Sequence, residues 1–408
     1  MIIMNRKTKL RLLSALTMFL LVQVQILHAG TYKEVTNFGE NPSGTQMFLY
    51  TPDKVAAKPP ILVVCHWCHG TADACYNASY WYCSFAESQG YYVIFPNAAS
   101  SDGCWDVAST EALTHDGGSD PLGIVSMVRY VIKNYNADST RVYVTGVSSG
   151  AMMTNVLLGA YPDVFAAGSA FAGVPFGCFS GPDSWNDDCA KGRITKTAQE
   201  WGDLVRNAFP GYTGKRPKIQ MWHGTNDEVL SFHNFGEAVK QWTNVLGADT
   251  IPASEEKDVF QSGWVRWRYN NSSGETVVET IIEQDQPHNL QVLQQEALSF
   301  FGLDQSTDVR SRPVLKKGSQ SSSAIVTSFI SADRIAVTIR SIPGTASLSL
   351  YTINGRMAFN YPETYSSTGM FAFTIDKSAL LQQVSNLCIA RVTLNGSDAG
   401  AFRLTIQK

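Results

Sequence analysis

Residues 146–150 read Gly-Val-Ser-Ser-Gly, directly after the β-rich run 141–145 (Arg-Val-Tyr-Val-Thr) and directly before an apolar helical stretch at 151–160. Strand, tight turn and helix in that order constrain the fold strongly. The glycines predict a sharp bend that thrusts Ser148 out at the C-terminal edge of a sheet, where a base can reach its hydroxyl. A plain Ser/Gly turn is the alternative reading, and it leaves the flanking strand and helix unexplained.

The periodicity around this motif agrees with it. From Pro60 onward apolar runs alternate with amphipathic ones, the pattern of βαβ units and a mainly parallel sheet. Strands are expected at 61–65, 91–95, 141–145, 165–171, 218–222 and 276–283. Helices are expected at 80–89, 121–135, 149–160, 235–246 and 290–301. Such a sheet binds its ligand outside the carboxyl ends of the strands, so residues just past each strand carry the functional interest. After residue 303 the pattern changes. Residues 304–320 lack periodicity and read as a linker. Short alternating segments at 334–340, 346–351, 371–375, 387–392 and 401–406 then follow all-β logic and predict a small sandwich over 321–408.

The first 29 residues hold Arg6, Lys7, Lys9 and Arg11, then an apolar core over 12–27 and a small residue at Ala29. That is the three-part grammar of a secretory signal. A membrane anchor is the rival reading, but Gln23 and Gln25 interrupt the stretch and it is short for a span. Without this segment, 28 Lys plus Arg stand against 35 Asp plus Glu, a net charge of −7, which argues against nucleic acid as a partner. All eight cysteines, at 65, 68, 75, 83, 104, 178, 189 and 388, lie beyond the signal. That placement suits an oxidising compartment. Cys65-His66-Trp67-Cys68-His69 has the look of a zinc cluster but no second pair at ribbon or finger spacing, so no metal and no organic cofactor is expected. At least one thiol is expected to be free, with Cys65 in its buried strand the candidate.

A serine hydroxyl is a poor nucleophile near neutral pH. It needs a base to take its proton and an acid to orient that base. In an α/β-hydrolase the chain order is Ser, Asp or Glu, then His. Three histidines follow Ser148. His223 ends a strand and reads as a turn-shaping residue, His233 begins a helix and reads as surface, and His288 follows the run 276–283 on a loop able to reach the serine. His288 is therefore the expected base. Asp227, in His-Gly-Thr-Asn-Asp after the strand 218–222, is the expected acid, with Asp258 and Asp285 as fallbacks; an ordinary turn aspartate is its structural alternative. A developing oxyanion needs N–H donors. Ser149 supplies one by position, and either Trp67 or Cys68 the other.

The segments 146–155 (Gly-Val-Ser-Ser-Gly-Ala-Met-Met-Thr-Asn), 66–72 (His-Trp-Cys-His-Gly-Thr-Ala), 104–107 (Cys-Trp-Asp-Val), 173–178 (Gly-Val-Pro-Phe-Gly-Cys) and 222–227 (Trp-His-Gly-Thr-Asn-Asp) together resemble the acetyl xylan esterases and feruloyl esterases of carbohydrate esterase family 1, a group akin to the polyhydroxybutyrate depolymerases. The likeness covers about residues 45–303. It implies Ser148 as nucleophile, Asp227 as acid, His288 as base, and the amides of Cys68 and Ser149 as oxyanion donors. It further implies disulfides Cys178–Cys189 and Cys68–Cys104, and Trp185 as the tryptophan bordering the acyl pocket, whose alternative is a core aromatic. The family's glycine before the histidine is absent from Asp285-Gln286-Pro287-His288-Asn289, so His288 rests on order and position. The tail, with 346–356 and its ending Leu-Thr-Ile-Gln-Lys, is similar to C-terminal sorting domains of type IX-secreted proteins; a carbohydrate-binding module is the alternative, opposed by the absence of tryptophan there.

The expected organisation is a signal at 1–29, an α/β-hydrolase domain with a mainly parallel sheet at 30–303, a linker at 304–320 and an all-β domain at 321–408. The expected activity is that of a secreted serine esterase removing acetyl groups from xylan or xylo-oligosaccharides, without a stable membrane span after signal removal and with secretion machinery as a partner of the tail. A feruloyl esterase is the nearest rival, and a non-catalytic wall-binding protein the rival of another class.

Overall fold

The computed structural model describes residues 30–304 and, in the tail, chiefly the strands between 324 and 405. The signal expected at 1–29 and nearly all of the linker expected at 304–320 lie outside the described residues. The chain separates into two compact units at 308/309.

In the first unit the elements run β1 (Thr31–Val35), β2 (Gln46–Thr51), β3 (Ile61–Cys65), α1 (Ala72–Ala78), α2 (Tyr80–Gln89), β4 (Tyr92–Asn97), α3 (Ser119–Tyr135), β5 (Val142–Val147), α4 (Ser149–Ala160), β6 (Ala167–Phe171), α5 (Asp187–Ala190) and α6 (Ala198–Ala208). They continue through β7 (Lys218–Gly224), α7 (His233–Leu246), β8 (Ser254–Lys257), β9 (Val265–Asn270), β10 (Thr276–Glu283) and α8 (Gln294–Phe301). One ten-stranded sheet has the order β1-β2-β4-β3-β5-β6-β7-β10-β9-β8. Its six central strands, β4 to β10 in that order, are parallel, and an antiparallel pair closes each edge. The chain moves outward from β3 to β4 and then returns to the other side at β5. The β3/β5 crevice is therefore a topological switch point, where open α/β sheets place their ligand.

Alternation along the strands builds two cores. Ile61, Val63, Cys65, Val142 and Val144 face one side, packing with α3, α4, α6 and α7. Leu62, Val64, Val93, Phe95 and Tyr143 face the other, beneath α1, α2 and α8. All five residues of β3 are buried, as a central parallel strand covered on both faces requires. Each fully buried Val, Leu or Ile contributes about 1.5–3 kcal/mol. Helix α4 is buried along its whole length, which explains its uniformly apolar sequence. Its polar exceptions are satisfied internally: Thr154 Oγ1 donates to Gly150 O (2.9 Å) and Asn155 Oδ1 accepts from the Trp242 indole (2.7 Å).

Among the described residues the second unit holds the strands β11 (Ala324–Ile330), β12 (Arg334–Ser341), β13 (Gly344–Thr352), β14 (Met357–Tyr365), β15 (Gly369–Asp376), β16 (Leu387–Leu394) and β17 (Ser397–Thr405). They form antiparallel sheets β11-β12-β15 and β14-β13-β16-β17.

Candidate active site

The turn between β5 and α4 is built by close approach. A Cβ on Gly146 would collide with the Gly150 carbonyl, and one on Gly150 with the Cys65 carbonyl. The bend expected of the glycines is not set by their own backbone angles. In the structure neither has a positive φ, and the strained residue is Ser148, at φ 56°, ψ −119°. A non-glycine residue in that region costs of order 1–3 kcal/mol, and the buried surroundings hold it there. Ser148 N–H donates to Phe171 O of neighbouring β6 (2.9 Å).

Strands β7 and β10 are parallel neighbours, so their C-terminal loops open at the same sheet edge as Ser148. The loops are stitched together: Asn226 N–H donates to Gln286 O (3.0 Å), Asp285 N–H to Thr225 Oγ1 (2.8 Å) and His288 N–H to Glu228 Oε2 (3.1 Å). His288 is thereby brought between the other two expected residues. Its Nε2 lies 2.8 Å from Ser148 Oγ and its Nδ1 2.8 Å from Asp227 Oδ2. A carboxylate can only accept, so Nδ1 carries the proton and Nε2 presents its lone pair to the serine hydroxyl. Asp227 Oδ1 accepts the amides of Val229 (2.9 Å) and Leu230 (2.7 Å). Burial pushes the Asp227 carboxyl up, but hydrogen bonds from His223 and His288 outweigh it and hold the group well below the usual carboxylate range. The fallback acids are elsewhere engaged: Asp258 Oδ1 accepts Gly263 N–H, and Asp285 is an exposed turn residue at φ 61°.

Ser149 opens α4, so its N–H is among the helix-terminal donors without an intrahelical acceptor. Cys68 lies in the turn after β3 and is tied to Cys104 by a disulfide. The segment after Cys104 joins the two strand-end loops. Trp105 N–H donates to Ser149 Oγ (3.0 Å) and its indole N–H to His66 O (2.8 Å). His66 Nδ1 meets Trp67 O (2.8 Å), and its Nε2 accepts Ala98 N–H (3.1 Å). Burial lowers the His66 pKa against the pull of the Trp67 carbonyl, keeping the ring neutral in this one tautomer. Within the Cys65–His69 run, the His66 ring is thus held by hydrogen bonds and Cys68 by its disulfide. Among the described residues no three His, Cys, Asp or Glu side chains gather as metal ligands. Cys65, Cys75 and Cys83 are free and buried.

A cavity of about 750 Å³ opens over this cluster, lined by Trp67, Cys68, Ser148, Ser149 and His288, with an apolar wall that includes Met152, Phe179, Leu290 and Val292. Trp185 lines it too. It stands half exposed between Cys178 and Cys189, which are disulfide-bonded, with its ring edge-on to Phe179 at 5.4 Å and its indole N–H on Asp187 Oδ1 (2.8 Å). It is no core aromatic. His233 is the first residue of α7, near the surface, with its Nε2 3.0 Å from Thr195 Oγ1. His223 is buried and reaches across its own loop to Leu230 O (2.8 Å), as a turn-shaping residue should, yet its Nε2 also lies 3.0 Å from Asp227 Oδ2. Neither that contact nor the bracing by Trp105 has a signal in the sequence beyond membership of the segments 222–227 and 104–107.

Residues 46–247 match the family described as esterase PHB depolymerase. Acetylxylan esterase A of Aspergillus oryzae is 42% identical over 282 residues, which are 68% of this chain and 90% of that protein. The chain belongs to the esterase PHB depolymerase family. Another relative, feruloyl esterase B of Talaromyces funiculosus, is 46% identical over 253 residues, 61% of this chain and 71% of that one. The solved acetyl xylan esterase from Aspergillus awamori superimposes with a TM-score of 0.63 at 36% identity, covering 67% of this chain and all of that one. Like other members of the esterase PHB depolymerase family, the chain is a carboxylic-ester hydrolase with the α/β-hydrolase fold.

Proposed function

We propose that this esterase removes acetyl groups from xylan or xylo-oligosaccharides through an acyl-enzyme on Ser148. The observation that carries the reading is the unbroken chain Ser148 Oγ, His288, Asp227, with both links at 2.8 Å. Ser148 Oγ attacks the acetyl carbonyl carbon while His288 Nε2 takes its proton. The buried Asp227 carboxylate stabilises the imidazolium. Negative charge on the carbonyl oxygen is met by the amides of Ser149 and Cys68; one such donor is worth about 3–4 kcal/mol in the transition state. His288 then gives its proton to the departing sugar oxygen, the acyl-enzyme forms, and water activated by the same imidazole releases acetate and restores Ser148.

Relatives named acetylxylan esterase support the polysaccharide substrate, and Trp185 in the cavity wall supports a bounded acyl site. A second reading, feruloyl ester hydrolysis, is favoured by the size and apolar lining of the cavity and by relatives named feruloyl esterase B. Purified protein assayed on acetylated xylan and on methyl ferulate separates the two. Acetate release is expected to dominate; turnover of the ferulate ester alone reverses the choice, and turnover of neither contradicts both readings.

The two disulfides and the signal-like first 29 residues support export. Among the described residues no helix is long and apolar enough to cross a membrane. The likeness of residues 321–408 to sorting domains supports a role for the tail in that export.

A further inference from the structure

We propose that His223 is a positioning residue for the reaction, acting through the oxygen of Asp227 that also orients His288. The inference rests on the triad reading above and deepens it.

His223 is the penultimate residue of β7, just before Gly224, and its side chain is buried. Its Nε2 faces two atoms that can only accept, Leu230 O at 2.8 Å and Asp227 Oδ2 at 3.0 Å. Nε2 therefore carries the proton. Asp227 Oδ2 lies between two imidazole N–H groups, from His223 and from His288, while Oδ1 is held by the Val229 and Leu230 amides. The carboxylate accepts three hydrogen bonds, from Val229, Leu230 and His288, and His223 Nε2 closes its fourth side at 3.0 Å. His223 also spans the loop that carries Asp227, because its other acceptor is the carbonyl of Leu230.

The rest of its surroundings is apolar or remote from its proton. The rings of Phe232 and Phe235 approach edge-on at 5.9 and 6.1 Å. The titratable groups at this corner are Asp227, His288, Glu228, which accepts the His288 amide, and Glu283, which closes β10 opposite Gly224. Only Asp227 meets His223 directly.

Two consequences follow from sharing one oxygen. The His223 N–H keeps Oδ2 aimed at His288 Nδ1, so its loss blurs the geometry of proton transfer and falls on kcat. It also withdraws part of the negative charge on Oδ2. Removing it makes the carboxylate a stronger stabiliser of the His288 imidazolium, which moves the acid limb of the kcat/KM profile to higher pH.

The test compares His223→Leu, which fills the space without a donor, with His223→Gln, whose Nε2 is the same number of bonds from Cα as that of histidine. The Leu variant is expected to lose about tenfold in kcat, the scale of a hydrogen bond to a charged group, with KM little changed. Its acid limb is expected to rise by about half a pH unit. The Gln variant is expected to recover most of both. In an Asp227→Asn background, His223→Leu is expected to add no further loss, since residues acting through one another are non-additive. Unchanged kcat and acid limb in the Leu variant, or a full additional loss in the Asp227→Asn background, overturns the proposal. If the Leu variant does not fold, a folded Gln variant with the tenfold loss overturns it equally. Ser148→Ala is run alongside: surviving turnover there sinks the triad reading itself, whereas its loss with an unaffected His223→Leu sinks only the role of His223.

Discussion

Glu283 is a buried carboxyl group at the end of β10. Its Oε2 accepts the Gln291 amide (3.2 Å), and among the described residues it has no charge partner and its Oε1 no hydrogen-bond partner. Burial, opposed by the Gln291 amide, pushes its pKa up to about 8 from 4.5. Between those values the unfolded chain has lost the proton and the folded chain keeps it. Folding stability therefore falls as pH rises across that window, by roughly 1.4 kcal/mol per unit for this group, and levels off above it. Glu283→Gln is expected to remove that slope and to raise the urea midpoint most at about pH 8. An unchanged slope in denaturation series from about pH 5 to about pH 8 contradicts this. That Ser148, Asp227 and His288 meet was legible because acyl chemistry prescribes their types and order, and strand ends limit where they can stand. The Glu283 environment and the His223 contact were not legible, since both depend on how the loops after β7 and β10 fold over each other.

At the scale of elements, the central strands and the helices packed on them follow directly from the pattern of apolar residues. β3, α2, α4 and β10 match their expected bounds. The edges did not show. β8 is Ser-Glu-Glu-Lys, exposed throughout and without apolar alternation, whereas β9, Val-Arg-Trp-Arg-Tyr-Asn, does alternate but is mostly half-buried. Charge holds them instead: Arg268 bonds Glu279 of β10 (2.6 Å) and also Glu256 of β8. α6 was missed although Thr197 and Glu200 form a capping box, a signal the apolar pattern does not contain. α8 begins at Gln294 rather than at 290, because Leu290 and Val292 belong to the cavity wall.

At the scale of the whole molecule, two units with different patterning share one chain. The first contains the switch-point crevice and every residue assigned to the chemistry; the described residues of the second form antiparallel strands. Deleting residues 304–408 is expected to leave turnover of a small soluble ester unchanged while altering where the cell delivers the protein. Loss of turnover contradicts that division of labour, and unchanged delivery removes the sorting role. The central claim is that hydrolysis passes through an acyl group on Ser148. The most direct measurement is peptide mass analysis of protein acid-quenched during turnover of an acetylated xylo-oligosaccharide. One acetyl group on the peptide containing Ser148, absent from Ser148→Ala, is the predicted result; an unmodified Ser148 peptide under conditions that trap other acyl-enzymes, or full turnover by Ser148→Ala, contradicts it.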